Sequence, residues 1–469
     1  MILYATRRQQ LAMTTGMRAA FLFGCFMFGV FSVRNTTQGV LLIGATFCLV
    51  LYWTKPEMMG WVALFLGCAS LPQGLPPGKV IGPLTIYGHH VPLLLGICYL
   101  IPIVRLRLST FALPLMFLGT VFFFTAAGFA TGHAPAAVLH EATLLLEMVG
   151  GFVLALLLVY GGYISGTVRV VAVTLWLSAG ISVLSSLHVI RLAGRAESLE
   201  GTTGAAEATR VITNTLTPAI AVLATLVAAQ IVGRVRPGVV LALGPPALLI
   251  PLLAFSRNTL IAVGLAAVVA FGTSNSWSAL RRTVKLTSIS VAIFAVTVPG
   301  ALFLLQHSTA GAWLGDQFTA FNHRVLGGVS SSALAADSST QARLAEDANL
   351  YRAIGQAPLF GHGLGYAYQQ PFGKDPDEFT ATLGTTYSHN FYLWWLCKAG
   401  AVGMAAFAMF AVVPVVQALR RASAPAKISA AVSIGLLAMC VVDPLPEDPA
   451  NALTLGMALG SAMAFGMSR

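Results

Sequence analysis

The sequence predicts an all-α polytopic membrane protein with roughly 12–14 transmembrane helices and one long extracytoplasmic helical loop. Of the 469 residues, 57% are hydrophobic and 9% are charged, and apolar stretches of nearly membrane-spanning length recur along the chain. The mean hydropathy is +0.81. A soluble protein of this size needs more charged surface, so soluble classes of protein are excluded.

The charged residues argue for a membrane rather than for nucleic acid as the partner. The net charge of +11 comes from Lys and Arg residues scattered in small groups beside apolar runs, which is the orientation pattern of a membrane protein. The six cysteines lie in apolar stretches without a CxxC motif, so no disulfide framework or metal centre is expected. Arg7, Arg8 and Arg18 precede an apolar run that we interpret as an uncleaved first span.

Apolar windows between charged residues define about fourteen candidate spans with approximate boundaries. Several windows are short for a bilayer of about 30 Å, so two neighbouring windows could form one re-entrant element, and about twelve spans is an open alternative. The windows are 18–33, 37–53, 57–72, 91–104, 111–130, 143–164, 168–187, 215–233, 238–255, 258–273, 286–305, 390–418, 428–443 and 451–467.

The distribution of charge orients these spans, because short cytoplasmic loops are enriched in Lys and Arg. With both termini in the cytoplasm, most of the 27 Lys and Arg residues fall in short cytoplasmic segments. Of the 16 Asp and Glu residues, only Glu57 lies on that side, and all 9 His residues lie at or beyond the opposite ends of the spans. The longest hydrophilic loop is therefore predicted outside the cytoplasm.

This topology divides the chain into four parts. They are N-terminal helices (1–187), central helices with a turn at Arg257 (188–305), an extracytoplasmic loop with a surface helix (306–389) and C-terminal helices (390–469). The outer segments 73–90, 131–142, 188–214 and 306–389 are each long enough to build structure.

The longest outer segment contains a predicted helix from about Gln341 to Gly355. Asp337 or Ser338 can cap its start, and Pro358 ends it. Leu344, Ala348, Tyr351 and Ile354 form an apolar stripe that is expected to face the membrane. Three glycines follow in a predicted tight turn: Gly361, Gly363 and Gly365.

Three residues at predicted outer positions are the main candidates for chemistry. Arg257 lies at the turn after a segment with Gly244, Pro245, Pro246 and Pro251, which predicts a kinked or broken helix; the alternative is an arginine that reaches lipid headgroups. Arg343 suits phosphate oxygens, although a solvated helix face is the commoner explanation for such an arginine. His389 can exchange a proton near pH 7, unless it only borders an aromatic belt.

Other polar groups are weaker candidates. His89 and His90 are adjacent, so a helix should point them apart, which is poor spacing for a metal site. Glu147 either pairs with an arginine or reaches the outer water. Three acids in a proline-rich turn are expected to be solvated: Asp443, Glu447 and Asp448.

Three segments occur in an order that resembles the O-antigen ligase and O-antigen polymerase superfamily. The first is Ser256-Arg257 at the start of a span, and the second is Gln341-Ala342-Arg343-Leu344 leading to the motif Pro358-Leu359-Phe360-Gly361-His362-Gly363-Leu364-Gly365. The third is Ser388-His389-Asn390-Phe391-Tyr392-Leu393, followed by Gly400-Ala401-Val402-Gly403. Arg191-Leu192-Ala193-Gly194 and Asn214 resemble a weaker upstream pattern, and His362 departs from the small or apolar residue usual there.

The resemblance implies an inverting, metal-independent glycosyltransferase of the bacterial cytoplasmic (inner) membrane, without a cofactor. Its donor would be a saccharide linked to a polyprenyl diphosphate such as undecaprenyl diphosphate, and its acceptor a lipid or saccharide hydroxyl on the outer face. Arg257 and Arg343 would bind the diphosphate, with Arg352 and Arg210 as further donor-binding residues, and His389 would orient or deprotonate the acceptor. Weaker substrate-binding candidates are Arg191, Tyr387, Asn390 and Glu147.

Several readings stay open at this point. A ligase and a polymerase of the superfamily share the donor site, and the resemblance leans slightly to a ligase. From another class, a secondary transporter or lipid-linked glycan flippase also has many spans and proline-broken helices, but its ionisable residues lie near the bilayer midplane. A lipid-binding scaffold leaves Arg257, Arg343 and His389 unexplained. The oligomeric state is open, because Gly400 and Gly403 suit internal packing and a dimer equally.

Overall fold

The computed structural model confirms an all-α polytopic membrane protein. It describes short pieces before residue 31, position 325 and the following segments: 36–72, 78–192, 196–198, 208–233, 235–274, 276–305, 307–322, 338–370 and 384–467. The helices are α1 (Thr36–Thr54), α2 (Met59–Cys68), α3 (His90–Val104), α4 (Ala112–Ala130), α5 (Pro135–Tyr160), α6 (Ile164–Ser186), α7 (Leu216–Val232), α8 (Pro237–Leu253), α9 (Asn258–Ser274), α10 (Trp277–Leu305), α11 (Thr309–Phe321), α12 (Ser338–Gln356), α13 (Phe391–Leu419), α14 (Ala424–Met439) and α15 (Pro449–Met467).

Within the described residues, five helices are long and apolar enough to cross a membrane: Leu108–Ala130, Pro135–Tyr160, Ile164–Ser186, Phe391–Leu419 and Pro449–Met467. Shorter apolar helices accompany them, so the predicted total of spans stays a prediction. Most of the predicted windows coincide with a helix. The main discrepancy is α5, which begins at Pro135 rather than near residue 143. Proline is favoured at the first position of a helix, so the helix starts at Pro135. Glu141 therefore lies within α5.

The centre of the bundle joins distant parts of the chain, because α5 packs along α15. Small residues make this approach possible: a Cβ at Gly151 would meet the backbone of Leu453, and one at Gly456 would meet the backbone of Met148. Side chains without bulk let two helices approach closely in a membrane, where lipid is as apolar as leucine. This contact makes α5 and α15 the main buried helices of the core.

Two small antiparallel hairpins, which the sequence did not predict, lie in outer segments that were expected to build structure. β1 (Gly78–Ile81) pairs with β2 (Leu84–Tyr87), and β3 (Ala196–Ser198) pairs with β4 (Thr209–Val211). β2 ends just before α3, while β4 precedes α7. Helices α3 and α7 both begin at the end of the bundle where α13 begins, beside His389. The hairpins therefore lie at this end, which we call the His389 end.

The proline-rich segment was predicted to be kinked or broken, and it is not broken, since α8 runs as one helix through Pro245, Pro246 and Pro251. Pro246 has no N–H for the carbonyl of Ala242, but the indole N–H of Trp176 donates to that oxygen at 2.8 Å. The interruption instead lies in α13, where Gly400 has φ 60° and ψ −167°. A neighbouring helix thus satisfies one of the carbonyls that the prolines free in α8.

The predicted outer helix is confirmed as α12, which begins at Ser338 and ends two residues before Pro358. The glycines that follow, Gly361, Gly363 and Gly365, all have positive φ, as a tight turn requires. The face of α12 that packs on the protein carries Glu346, Leu350 and Ala353. The predicted apolar stripe, with Leu344 and Tyr351, is exposed on the other side. Asp337, the alternative cap, lies outside the described residues.

Candidate functional site

The site is built around the loop that precedes α13. The Asn390 side chain accepts from the backbone N–H of Leu393 at 3.3 Å and so caps α13, while the hydroxyl of Ser388 accepts from the N–H of Asn390 at 3.1 Å. The N–H of Phe391 donates to the carbonyl of Cys440 at 3.1 Å. These contacts hold His389 at the start of a membrane-spanning helix. Asn390, a weak substrate-binding candidate, has a structural role as the cap.

The imidazole of His389 is oriented by a carboxylate on α12. Its Nδ1 lies 2.9 Å from Oε2 of Glu346, and the backbone N–H of His389 donates to the same oxygen at 3.3 Å. Glu346 is buried, whereas the His389 side chain is 34% exposed. A carboxylate at Nδ1 favours the tautomer with its proton on Nδ1, which leaves the lone pair on Nε2. The pair therefore presents a proton acceptor to the accessible side.

Arg343 lies one helical turn before Glu346 on α12, on the same face of that helix. Its side chain is partly buried, and its Nε has no hydrogen-bond partner among the described residues. Arg352 follows nine residues later, about 180° around the helix, and is exposed. The structure thus brings Arg343 to the His389 site and directs Arg352 away from it.

Asp443 is the carboxylate that connects the predicted cations. The side-chain amide of Asn258 donates to Asp443 at 3.0 Å, which brings the start of α9, beside Arg257, to this turn. Burial raises the pKa of Asp443, and the Asn258 hydrogen bond and the nearby charges of Arg343, His389 and Arg210 oppose that shift. Asp443 was expected to be solvated; the structure instead places it among the site cations.

Arg210 and Arg257 are positioned by the turn between α8 and α9. The Nε of Arg210, on β4, donates to the carbonyl of Ala254 at 3.1 Å. Ala254 caps the C-terminal end of α8, where carbonyls lack helical partners and cations are favoured. Phe255 adopts a left-handed conformation with φ 45°, which turns the chain sharply before Arg257. The side chain of Arg257 is partly buried.

The turn after α14 packs against the loop that carries His389. The N–H of Ser388 donates to Oε2 of Glu447 at 3.2 Å, and the Tyr387 ring contacts the His389 ring edge-on at 5.3 Å between centroids. Burial, together with the Glu447 carboxylate, raises the pKa of the Tyr387 hydroxyl, so Tyr387 stays neutral. Burial also raises the pKa of Asp448 to about 6, and its carboxylate accepts from the N–H of Asn451 at 3.3 Å. The acids of this turn are structural partners rather than solvated groups.

A second polar cluster lies at the start of α3. His89 and His90 both pair through Nε2 with Glu147 of α5, His90 at 3.4 Å. The expectation that a helix points them apart is wrong, because they lie at the helix start and all three side chains converge. These ligand types suit a transition metal. The N–H of Tyr87 donates to Nδ1 of His90 at 3.4 Å, however, which leaves Nε2 protonated and donating to Glu147. The predicted absence of a metal stays a prediction.

The sequence candidates therefore fall into three groups. Residues that the structure brings together at one site are Arg210, Arg343, Tyr387, His389 and Asn390, and Arg257 precedes Asn258, which contacts Asp443 there. Glu147 belongs to the second cluster, while Arg191 and Arg352 are exposed. The sequence reasoning missed Glu346 and Asp443. Glu346 follows Arg343 at helical i+3 spacing, which was a usable signal.

Fold and site together define a polytopic membrane protein with an imidazole–carboxylate pair and several cations at one end of its bundle. Residues 239–408 match the family model described as O-Antigen ligase (Wzy_C). This part of the chain is similar to O-antigen ligase domains, and the match confirms the superfamily resemblance found in the sequence. A search of curated proteins gave no match. The domain contains Arg257, Arg343, Glu346 and His389; Asp443 lies beyond it.

Proposed function

We propose that this protein is an O-antigen-ligase-like glycosyltransferase. It transfers a saccharide from a polyprenyl diphosphate to an acceptor hydroxyl, with inversion and without a metal or cofactor. The observation that carries this proposal is the His389–Glu346 pair. Glu346 lies on the same face of α12 as Arg343, and His389 and Arg343 both lie near the turn that contains Asp443. The O-antigen ligase domain supports the same class of reaction, since it contains all of these residues except Asp443.

The chemistry follows from this placement. Nε2 of His389, with Nδ1 held by Glu346, accepts the proton of the acceptor hydroxyl. The acceptor oxygen forms a bond to the anomeric carbon as the bond from that carbon to the diphosphate oxygen breaks. Attack opposite the leaving group inverts the anomeric centre. The electron pair of the broken bond leaves with the polyprenyl diphosphate, and the proton is held on Nε2 of His389 until it is released to water.

Arg343 and Arg257 stabilise the departing diphosphate. A guanidinium offers two parallel N–H donors that match phosphate oxygens, and the buried Nε of Arg343 has no protein partner among the described residues. Arg210 adds a third cation from the β4 strand. Arg352 and Arg191 are left out of this donor site because both are exposed and Arg352 points away from Glu346. Charge stabilisation of this kind is usually the largest contribution to such a reaction.

The reaction is proposed to face away from the cytoplasm, in the bacterial inner membrane. Lys and Arg residues are concentrated at the end of the bundle opposite His389, as the positive-inside rule requires for cytoplasmic loops. Both termini are then cytoplasmic, and the four parts bounded at residues 187, 305 and 389 keep their proposed roles. The partners are the lipid-linked donor, a lipid or saccharide acceptor and membrane lipids.

A transporter or flippase agrees less well with the positions of the charges. Transporters use helix breaks near the midplane to bind substrate in a cavity. The break at Gly400 is instead filled by protein, because a Cβ at Gly400 would collide with the backbone of Leu359. The exposed imidazole and its neighbouring cations lie at the end of the bundle.

The test is transfer by the purified protein in vesicles with one defined polyprenyl-diphosphate-linked oligosaccharide and a candidate acceptor. The wild type is expected to transfer the saccharide, and His389→Ala to lose roughly 10³-fold in kcat/KM, since a base contributes about 10²–10⁴-fold. His307→Ala, an exposed histidine outside the site, is the matched control. Full activity of folded His389→Ala refutes the mechanism. Without an added acceptor, a ladder of longer lipid-linked products identifies a polymerase.

A further inference from the structure

A buried ion pair joins α5 to α13 below the His389 loop. Nζ of Lys398 lies 2.7 Å from Oε1 of Glu141, and the two residues are 0% and 4% exposed. Lys398 lies two residues before the helix break at Gly400. The transfer reaction proposed above uses neither residue. A fully buried charge pair is costly unless further hydrogen bonds satisfy both groups, so its remaining contacts indicate what it holds in place.

Those contacts go to the backbone of the glycine turn that follows α12. The N–H of Gly365 donates to Oε2 of Glu141 at 2.6 Å, and Nζ of Lys398 donates to the carbonyl of Tyr366 at 2.7 Å. The pair therefore binds one donor and one acceptor of adjacent residues. Neither contact can be made by an apolar side chain of the same size.

The backbone of the turn also pairs with the broken part of α13. The N–H groups of His362 and Gly363 donate to the carbonyls of Cys397 and Lys398 at 3.0 and 2.8 Å. In return, the N–H of Ala401 donates to the carbonyl of Pro358 at 2.9 Å. The turn and the interrupted part of α13 thus satisfy each other's backbone groups, which docks the turn into α13.

The same pair also reaches the segment that carries His389. The hydroxyl of Thr386, three residues before His389, hydrogen-bonds to Glu141. The indole N–H of Trp394 donates to the carbonyl of Thr386 at 2.7 Å, and Nζ of Lys398 lies 5.5 Å from the centre of the Trp394 ring. Glu141 and Lys398 thus contact both the end of α12 and the His389 loop.

We propose that Glu141 and Lys398 are positioning residues for the transfer site, which set α12, with Arg343 and Glu346, against the His389 loop. This inference rests on the proposed function. The reacting groups come from two elements, and the ion pair is a fully buried contact shared by the ends of both elements. Catalytic geometry tolerates errors of less than about 1 Å, so a loosened turn lowers turnover although neither residue touches substrate.

The experiment compares Lys398→Met, Glu141→Gln and the double variant in full-length protein in lipid vesicles. Turnover is normalised to the folded fraction. Each single variant is expected to lose roughly 10–100-fold in kcat, with KM for the donor changed by less than about 3-fold. The double variant removes the uncompensated charge, so its thermal stability recovers. Its kcat stays low, because the contacts to Gly365 and Tyr366 are still missing.

A merely structural ion pair gives a different result, in which kcat recovers together with stability in the double variant. Lys427→Met is the matched control, because Nζ of Lys427 also donates to a backbone carbonyl, that of Thr273, at 2.9 Å and at the opposite end of the bundle. It is expected to keep wild-type kcat. Wild-type kcat per folded molecule in either single variant, or in the double variant, overturns the proposal.

Hydrogen exchange separates failure of this inference from failure of the proposed function. Backbone amides of residues 357–366 and 384–390 are expected to exchange at least about 10-fold faster in Lys398→Met and in the double variant, but not in Lys427→Met. This readout does not depend on any substrate. If the wild type transfers no saccharide, the proposed function fails, while unchanged exchange in residues 384–390 overturns the positioning role by itself.

Discussion

The His389 end of the bundle holds two imidazole–carboxylate pairs that differ in their surroundings. In the first pair, His389 binds Glu346 and is 34% exposed. In the second, His89 binds Glu147, and the two side chains are 5% and 1% exposed. Both pairs satisfy the same hydrogen-bonding need of a carboxylate near the membrane. The chemistry of the pair alone therefore does not identify a site.

What distinguishes the first pair is the cations around it and its access to water. Arg343 and Arg210 lie near the Asp443 carboxylate beside His389. The ion pairs of Glu147, among the residues that the structure describes, are with His89 and His90. A leaving diphosphate needs cations, and a base needs a reachable lone pair. The first pair meets both conditions, and the second has the features of a structural contact between α3 and α5.

After the loss predicted for His389→Ala, the largest expected effect comes from removing a cation of the first site. Arg343→Ala should lower kcat/KM for glycan transfer by roughly 10²–10³-fold, because one donor to the developing charge on the diphosphate is lost. Arg352→Ala, on the opposite face of α12, should change it by less than about 2-fold. Rates with a lipid-linked donor in vesicles measure both. Equal losses in the two variants would mean that α12 acts through its total charge. The prediction that only the face with Arg343 contributes to transfer would then be wrong.

A smaller effect is expected from the carboxylate that orients His389. Glu346→Gln keeps an oxygen near Nδ1 but removes the charge, so kcat should fall by roughly 10–100-fold while KM for the donor changes little. Measured saturation curves separate the two parameters. Glu447→Gln is a useful comparison, since Glu447 holds the backbone N–H of Ser388 rather than the imidazole. A Glu346→Gln variant with wild-type kcat would leave the first pair without a catalytic meaning.

The sequence predicts the helices well because the length of an apolar run is a local signal. It also predicts α12 and its glycine turn from local signals, namely a capping residue, an apolar stripe and Pro358. It misplaces the helix break, because the contact by which Trp176 satisfies the Ala242 carbonyl comes from another helix and leaves no local pattern. The break at Gly400 depends on the approach of Leu359, a contact between distant parts of the chain.

The site was predictable where residue type and spacing carried the signal, and not where partners come from afar. Arg257, Arg343 and His389 stand out as polar residues at helix ends. Asp443 acquires its partner Asn258 only when the start of α9 packs against the turn after α14, and Glu141 acquires Lys398 only when α13 packs against α5. An acidic residue in a predicted surface loop can be buried against a distant residue in the folded protein. No local sequence pattern distinguishes such a residue from one that stays solvated.

The smallest effect on activity is expected in the second pair. Glu147→Gln should change kcat/KM of the folded protein by less than about 2-fold, while removing the charged partner of two imidazoles should cost about 1–3 kcal/mol of stability. Thermal unfolding in detergent, with Glu57→Gln at the opposite end of the bundle as control, measures the second quantity. If Glu147→Gln keeps normal stability but loses more than about 10-fold in transfer, the second pair takes part in the reaction and the prediction is wrong. Because Asp448 lies near both Glu147 and Asp443, such a loss would have to pass through the turn that supports His389.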